Sequence, residues 1–315
     1  MTPLIPSFRQ RLKTGFRKLR QSSDWSRFAG NDWPDTIMQE EVTDRQHAKQ
    51  GRSIGRWTLR DADGKSLTVY LKRHYKLPRW AGLLAMLFPS RAWSPGLQEW
   101  TNLQRAARLG LPVPRPVAAA EYARGGKLQG LLAVEELTGM LALHEAVPLA
   151  HSRIEPRAFV RWKRSLACEL ARLSRLMHDR ATYHKDLYFC HFYIRESDIA
   201  TPPDNWRDRV VVIDLHRLAT HRLTSLWWKI KDLGQLLYSS EVIGVTARDR
   251  LIFWKAYTCG RRQPLLEWLV RWKWQLYRRH NLKKRGQGSG VRGQTKEDRG
   301  QRTEDRGQRT EDMIT

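Results

Sequence analysis

The clearest periodicity in the chain lies between residues 156 and 178. Phe159, Trp162, Leu166, Leu170, Leu173 and Met177 recur at intervals of three and four, an apolar stripe that predicts a long amphipathic helix. Upstream, the pattern shortens. Residues 56–60 and 67–72 read as strands, and the DADG run between them is a hairpin-turn signal. Residues 97–109 predict a helix; the prolines of LPVPRPVA stop it and hold the chain extended beyond it. A further strand is expected over 130–137. The long helix leads directly into YHKDLYFCHFYI, a loop at 198–208, and a β-branched run at 210–213 that reads as a buried strand ending at Asp214. Residues 222–280 predict helices, the last of them basic and rich in tryptophan.

Three stretches fall outside this regular pattern. In residues 1–22, Phe8, Leu12, Phe16 and Leu19 sit at helical spacing with Arg9, Arg11, Lys13, Arg17, Lys18 and Arg20 between them. The expectation is a basic amphipathic helix, either lying on an anionic membrane or packed on the domain. Residues 77–95 are apolar, broken by prolines and flanked by Arg79 and Arg91. They read as an insertion with an exposed apolar face or as a buried loop. Residues 283–315 repeat KEDRGQR and TEDRGQR with no large apolar residue before Met313, so a disordered tail is expected.

Composition adds a direction. Lys and Arg number 57 against 32 Asp and Glu, a formal net charge of +25 across 315 residues. Such a surface attracts polyanions: nucleic acid, anionic headgroups or phosphorylated glycans. An arginine-rich composition without a partner is the plain alternative. The 315 residues suffice for one large domain or two lobes. Three cysteines without a CxxC pair suggest neither a disulfide framework nor a zinc site, and point to reduced thiols in the cytosol. The N-terminus lacks a continuous apolar signal region, and no apolar run approaches the roughly 20 residues a membrane span needs.

The candidate chemistry centres on carboxylates. Asp186 follows the long helix in a His-x-Asp context, and Asp214 ends the β-branched run. One carboxylate can accept the proton of an attacking hydroxyl while the other holds magnesium against phosphates. Taken singly, each aspartate reads equally as a cap or a surface ion-pair partner. Lys72, at the end of VYLK, and Glu99, on the expected helix, precede them in the order of a kinase site. Gly51 and Gly55 in GRSIGRW offer a nucleotide lid, without the three-glycine spacing of protein kinases. No GxxxxGKS/T loop, GxSxG elbow or HExxH pair is present, which argues against Walker-type NTPases, serine hydrolases and zinc proteases.

At these residues the chain resembles the lipopolysaccharide kinases, the Kdo and heptose kinases of the WaaP type. YHKDLYFCHFYI is similar to that family's catalytic loop, close to HRDLYxCHF, with Lys185 at the usual arginine. EWTNLQRAARLGLPVPRPVAAAE, VVVIDLHRL and KDLGQLLYSS resemble its ion-pair helix with the following proline-rich connection, its metal-binding segment and its next helix, over roughly residues 35–260. The resemblance implies an α+β, bilobal protein-kinase-like fold: an N-lobe antiparallel sheet with one helix over residues 31–137 and a mainly helical C-lobe over 138–282. It implies an ATP-dependent phosphotransferase acting on a heptose or Kdo hydroxyl of the lipopolysaccharide inner core, with Mg2+ as cofactor. Asp186 would be the base. Lys72 would bind phosphates and pair with Glu99. Asp214 would bind metal, joined or oriented by His191, which stands where ordinary kinases place Asn. Glu135 and Glu136 would lie near the adenine-binding hinge. His184 and Asp232 would brace the loop. The acceptor glycolipid and an anionic membrane would be the partners, at the cytoplasmic face of the inner membrane, with no specific nucleic acid. A kinase of another acceptor, or an inactive kinase-like binding protein, remains open at this point.

Overall fold

The computed structural model describes residues 8–39, 51–124 and 127–289. The N-terminal part is built on a five-stranded antiparallel sheet. Its strands are β1 (Phe16–Gln21), β2 (Arg52–Arg60), β3 (Ser66–His74), β4 (Pro116–Arg124) and β5 (Lys127–Glu135), in the spatial order β1-β4-β5-β3-β2. Period-two alternation divides the strand residues between the two faces. Leu131 and Ala133 of β5 pack with Val69, Leu71, Trp25, Trp33 and Ile37, whereas Leu132 and Val134 pack beneath the helix on the other face. Trp25 and Trp33 lie on the short helices α2 (Trp25–Ala29) and α3 (Trp33–Gln39) and meet edge to face at 5.8 Å.

The helix on the second face is α5 (Pro95–Arg108), which follows α4 (Arg79–Leu87). Ser94 caps α5 by accepting from the Leu97 N–H, and Pro95 stands at its first turn. The fully buried Glu121 carboxylate accepts from the Trp93 and Ser94 N–H groups. Gly96 and Gly130 set the approach. A Cβ on Gly96 would stand 2.7 Å from the Leu131 carbonyl oxygen, and one on Gly130 would stand 2.5 Å from the Ser94 Cβ. Only glycine lets the start of this helix press onto β5. Trp100, Leu103 and Ala106 of α5 then join a core that continues to Leu166, Leu170, Phe192 and Val212 of the C-terminal part.

That part is mainly helical. It comprises β6 (Met140–Ala142), α6 (Leu143–Arg153), α7 (Pro156–His178), β7 (Thr182–Tyr183), β8 (Phe192–Arg195), α8 (Ser197–Ala200), β9 (Val211–Val212) and β10 (Ala219–Thr220). It ends with α9 (Ser225–Ser239), α10 (Ala247–Tyr257) and α11 (Pro264–Ser289). The α7 bounds match the apolar stripe, with Glu155 as cap and Pro156 at the first helical position. The architecture is an α+β protein-kinase-like fold. Besides α5, short helices accompany the sheet that the hydrophobic pattern did not announce.

Several local expectations change. The N-terminal segment is not one helix: α1 (Phe8–Thr14) stops at Gly15, whose φ is +74°, and the chain then pairs with β4 from Phe16↔Ala123 to Gln21↔Ala118. Covering the open edge of β4 outweighs helical spacing there; residues 1–7 lie outside the described residues. Residues 77–95 combine both readings, because α4 buries Ala81, Ala85 and Met86 while exposing Trp80, Leu83, Leu87 and Phe88. The disordered tail expected from residue 283 does not hold over 283–289, where α11 continues to Ser289; the rest of that expectation, residues 290–315, lies outside the described residues. No helix among the described residues is long and apolar enough to cross a membrane.

Candidate active site

The loop carrying Asp186 is suspended from one face of α9. The fully buried Asp232 carboxylate accepts the His184 N–H on one oxygen and the Lys185 N–H on the other, each at 2.9 Å. One turn on, Gln235 accepts from the Leu187 N–H at 3.2 Å, and Ser239 Oγ accepts from the Phe189 N–H at 2.8 Å. Residues 232, 235 and 239 share a helical face. The loop can thus hold Lys185 at φ +70°, a left-handed conformation uncommon for a side-chain-bearing residue.

Two stacked histidines join this loop to the segment of Asp214. Their rings lie 5.5 Å apart at 18°. His184 is fully buried, and burial pushes its imidazole toward the neutral form. With Ile213 O as acceptor at 2.9 Å, its Nε2 carries the proton. His191 Nδ1 donates to the Asp186 carbonyl oxygen at 2.7 Å, and its Nε2 faces Asp214 Oδ2 at 3.7 Å.

Asp214 occupies a left-handed conformation, φ 62° and ψ 50°. Its Oδ1 accepts from Lys72 Nζ at 3.4 Å and His216 Nδ1 at 2.9 Å. Burial alone would raise its pKa; the His216 hydrogen bond and the Lys72 charge reverse this and hold the carboxyl well below its ordinary range. The same hydrogen bond raises His216. Lys72 Nζ donates to the buried Glu99 at 2.7 Å. Burial disfavours its charge, yet Glu99 and Asp214 more than compensate and raise its pKa. Asp186 is held separately. Arg217 Nη1 lies 3.0 and 2.9 Å from its two oxygens, and Lys231 Nζ lies 3.8 Å from Oδ1.

Lys72, Glu99, Asp214 and His191 therefore meet, with Asp186, His184 and Asp232 joined through the loop. Other candidates stand apart. Glu135 ends β5 with its carboxylate on Arg115 Nε at 2.7 Å, and Glu136 forks to Arg56 at 2.8 and 3.0 Å. Gly51 and Gly55 do not form one loop. Gly51 has φ +78°, but β2 pairs with β3 from Arg52 onward, so Gly55 lies inside the strand opposite Leu71. Residues 40–50 lie outside the described residues. His216, Arg217, Lys231, Gln235 and Ser239 were missed by sequence reasoning. Helical spacing from Asp232 could have found the last two; nothing distinguished the others.

A lysine held charged between two carboxylates, beside a third carboxylate on a braced loop, can position phosphates and take a proton from a hydroxyl. Elsewhere, α7, α9, α10 and α11 enclose an apolar cavity of about 330 Å³ lined by Leu166, Leu170, Leu236, Phe253, Trp254 and Val270.

Comparison with known proteins agrees with this geometry. The lipopolysaccharide core heptose(I) kinase WaaP of Pseudomonas aeruginosa is 32% identical over 216 residues, covering 68% of this chain and 76% of the relative. Its namesake in Escherichia coli strain K12 is 29% identical over 167 residues, covering 51% of this chain and 58% of the relative. A solved structure of WaaP in complex with acyl carrier protein superposes with a TM-score of 0.59 at 27% identity, over 82% of this chain and 99% of that one. The model of the lipopolysaccharide kinase (Kdo/WaaP) family matches residues 41–257, more than half of the chain. On that match, which spans the segments that build the site, the chain belongs to the lipopolysaccharide kinase (Kdo/WaaP) family.

Proposed function

We propose that this kinase transfers the γ-phosphoryl group of ATP to a sugar hydroxyl of the lipopolysaccharide inner core, a heptose by its likeness to the heptose(I) kinases. The observation that carries the reading is the joined set Lys72–Glu99–Asp214 and Asp186, bridged by His191. Lys72, fixed by Glu99, binds the nucleotide phosphates. Asp186 accepts the proton of the attacking hydroxyl. Asp214 Oδ2 and phosphate oxygens suit Mg2+, which takes one or two carboxylates plus phosphates and water. When bound, the ion neutralises charge on the phosphates. His191 orients the loop through the Asp186 carbonyl. His184 and Asp232 brace it, while Gly51 just before β2, Gly55 within it and Glu135 at the end of β5, apart from the Lys72 cluster, border the nucleotide on the sheet side. The test is transfer from labelled ATP to purified core oligosaccharide. Asp186→Ala should lose roughly 10²- to 10⁴-fold in kcat. Undiminished transfer by that variant, or wild-type transfer to protein alone, would overturn the reading.

The partners follow from the surface and from the relatives. Residues 8–21 and 75–98 contain no acidic residue. They are tied together by Arg11 Nε to Met86 O and Lys18 Nζ to Arg91 O. Arg9, Lys13, Arg20, Arg79 and Arg91 are exposed there, beside Trp80 at 62% and Phe88 at 53% exposure. Anionic headgroups with an apolar interior beneath suit this surface, each cation being worth about 1 kcal/mol. We place the protein peripherally on the cytoplasmic face of the inner membrane. Loss of anionic-vesicle binding by Trp80→Glu/Leu83→Glu is expected; unchanged binding would remove α4 from this role. Acyl carrier protein, present in the solved relative's complex, is a proposed partner, and the 330 Å³ cavity offers apolar space for an acyl chain.

A further inference from the structure

Asp186 is surrounded by more positive charge than one carboxylate can balance. Arg217 Nη1 bridges its two oxygens at 3.0 and 2.9 Å, and Lys231 Nζ stands 3.8 Å from Oδ1. Lys231 also donates to the Lys185 carbonyl oxygen. Both ammonium groups lie over one indole: Lys185 Nζ is 4.3 Å and Lys231 Nζ 5.3 Å from the Trp228 ring centroid. That ring is itself fixed, with His221 stacked on it at 4.8 Å and 24°. Trp228 and Lys231 stand three apart on α9 and so share a face.

The other nearby acid offsets this charge only in part. Asp232 is fully buried and committed to the His184 and Lys185 N–H groups. Burial lowers the Lys231 pKa, and Arg217 and Lys185 lower it further against the pull of Asp186 and Asp232. Lys72, the cation of the nucleotide side, pairs instead with Glu99 and Asp214. Two lysines held over an indole and an arginine held by the base itself are therefore a separate set.

We propose that Arg217, together with Lys231 and Lys185 positioned by Trp228, forms an acceptor subsite for an anionic group, a carboxylate or phosphate close to the hydroxyl that is phosphorylated. This rests on the kinase reading above and names the feature of the acceptor that the site selects. Lys231 is mostly covered and stays in place, whereas Arg217 is 46% exposed and free to turn. Before the acceptor binds, Arg217 occupies both oxygens of Asp186. An acceptor anion draws the guanidinium away and opens a carboxylate lone pair to the hydroxyl. The hydroxyl proton then passes to Asp186, the alkoxide oxygen bonds to the γ-phosphorus, and the bond to the ADP oxygen breaks. The same anion that anchors the sugar thus releases the base.

The test uses the full chain and deacylated core oligosaccharide bearing heptose and Kdo. Three further forms of the probe are made: carboxyl-reduced, dephosphorylated, and both. Arg217→Gln and Lys231→Met are compared with wild type by acceptor KM, kcat and AMP-PNP affinity, with thermal melting as the check on folding. Arg217→Lys serves as the conservative variant. Losing a hydrogen bond to a charged group predicts an acceptor KM raised roughly ten- to hundredfold in Arg217→Gln and Lys231→Met, AMP-PNP affinity unchanged within about twofold, and partial recovery in Arg217→Lys. Removing the acceptor's anionic group should weaken wild type by a similar factor and the variants little further; the form that does so identifies carboxylate or phosphate. The proposal fails if the variants lose AMP-PNP affinity at unchanged acceptor KM, since the cations would then serve the terminal phosphate of the nucleotide. It also fails if wild type uses the doubly neutralised probe as well as the intact one. No wild-type transfer to the intact probe would instead overturn the core-kinase reading, and this subsite with it.

Discussion

Asp232 shows how much one side chain can organise. Each oxygen takes one backbone N–H of the catalytic loop, so Asp232→Asn leaves one N–H facing an amide NH2 instead of an acceptor. A buried unsatisfied donor costs roughly 1–3 kcal/mol. Urea denaturation of Asp232→Asn should show a loss of that size, and its kcat should fall as the loop loosens. A variant with wild-type stability would mean that Asp232 does not carry the loop. Residues of this kind were partly legible in the sequence. Lys72, Glu99, Asp186 and Asp214 could be read because their order and flanking patterns are specific. Arg217 and Lys231 could not, because among 57 cations nothing in the sequence marks the two that folding brings to Asp186. The 3.7 Å approach of His191 Nε2 to Asp214 likewise depends on a stacking of rings that no spacing encodes.

Among the elements, legibility follows the strength of the local signal. The α7 stripe is long and capped, so local and tertiary preferences agree. At the N-terminus they conflict: Phe8, Leu12, Phe16 and Leu19 fit a helix, but Gly15 ends it and β4 needs a neighbour. The junction before α10 carries a further expectation. Thr246 and Asp249 form a capping box, and Asp249 also accepts from the buried Lys163 at 2.7 Å. Removing the cap with Thr246→Ala should cost about 1 kcal/mol. Asp249→Ala should cost more, about 3–5 kcal/mol, because the buried Lys163 loses its carboxylate and keeps the Gly244 carbonyl and the Phe159 ring. The sign with pH is fixed too. Burial would raise the Asp249 pKa, but the Lys163 and Thr246 hydrogen bonds pull it down, below its unfolded value near about 3.9. The stabilisation is therefore present above about pH 4 and lost as pH falls through the folded pKa. Denaturation curves of wild type and Asp249→Asn should converge in acid; a constant gap would exclude this linkage.

At the scale of the molecule, +25 net charge sets no fold but does set association. Vesicle binding through the surface of α1, β1 and α4 should weaken steeply between low and moderate salt, with a residual apolar component that Trp80→Glu/Leu83→Glu removes. Binding insensitive to both would exclude that surface. The two-part architecture was legible through resemblance, whereas the shared core joining α5 to α7, β8 and β9 was not, because it is assembled from residues far apart in the chain. The close seating of α5 on β5 has a consequence for control. Asn102 bonds the Leu215 carbonyl, Arg105 reaches Thr182, and Gly96 leaves no gap above Leu131. An on–off mechanism that swings this helix outward would have to break all of these at once. Gly96→Ala should force that displacement permanently and weaken AMP-PNP binding in a protein that still melts cooperatively. On this seating the Lys72–Glu99 pair is already formed before a ligand arrives, and nucleotide affinity is expected to change little with acceptor concentration.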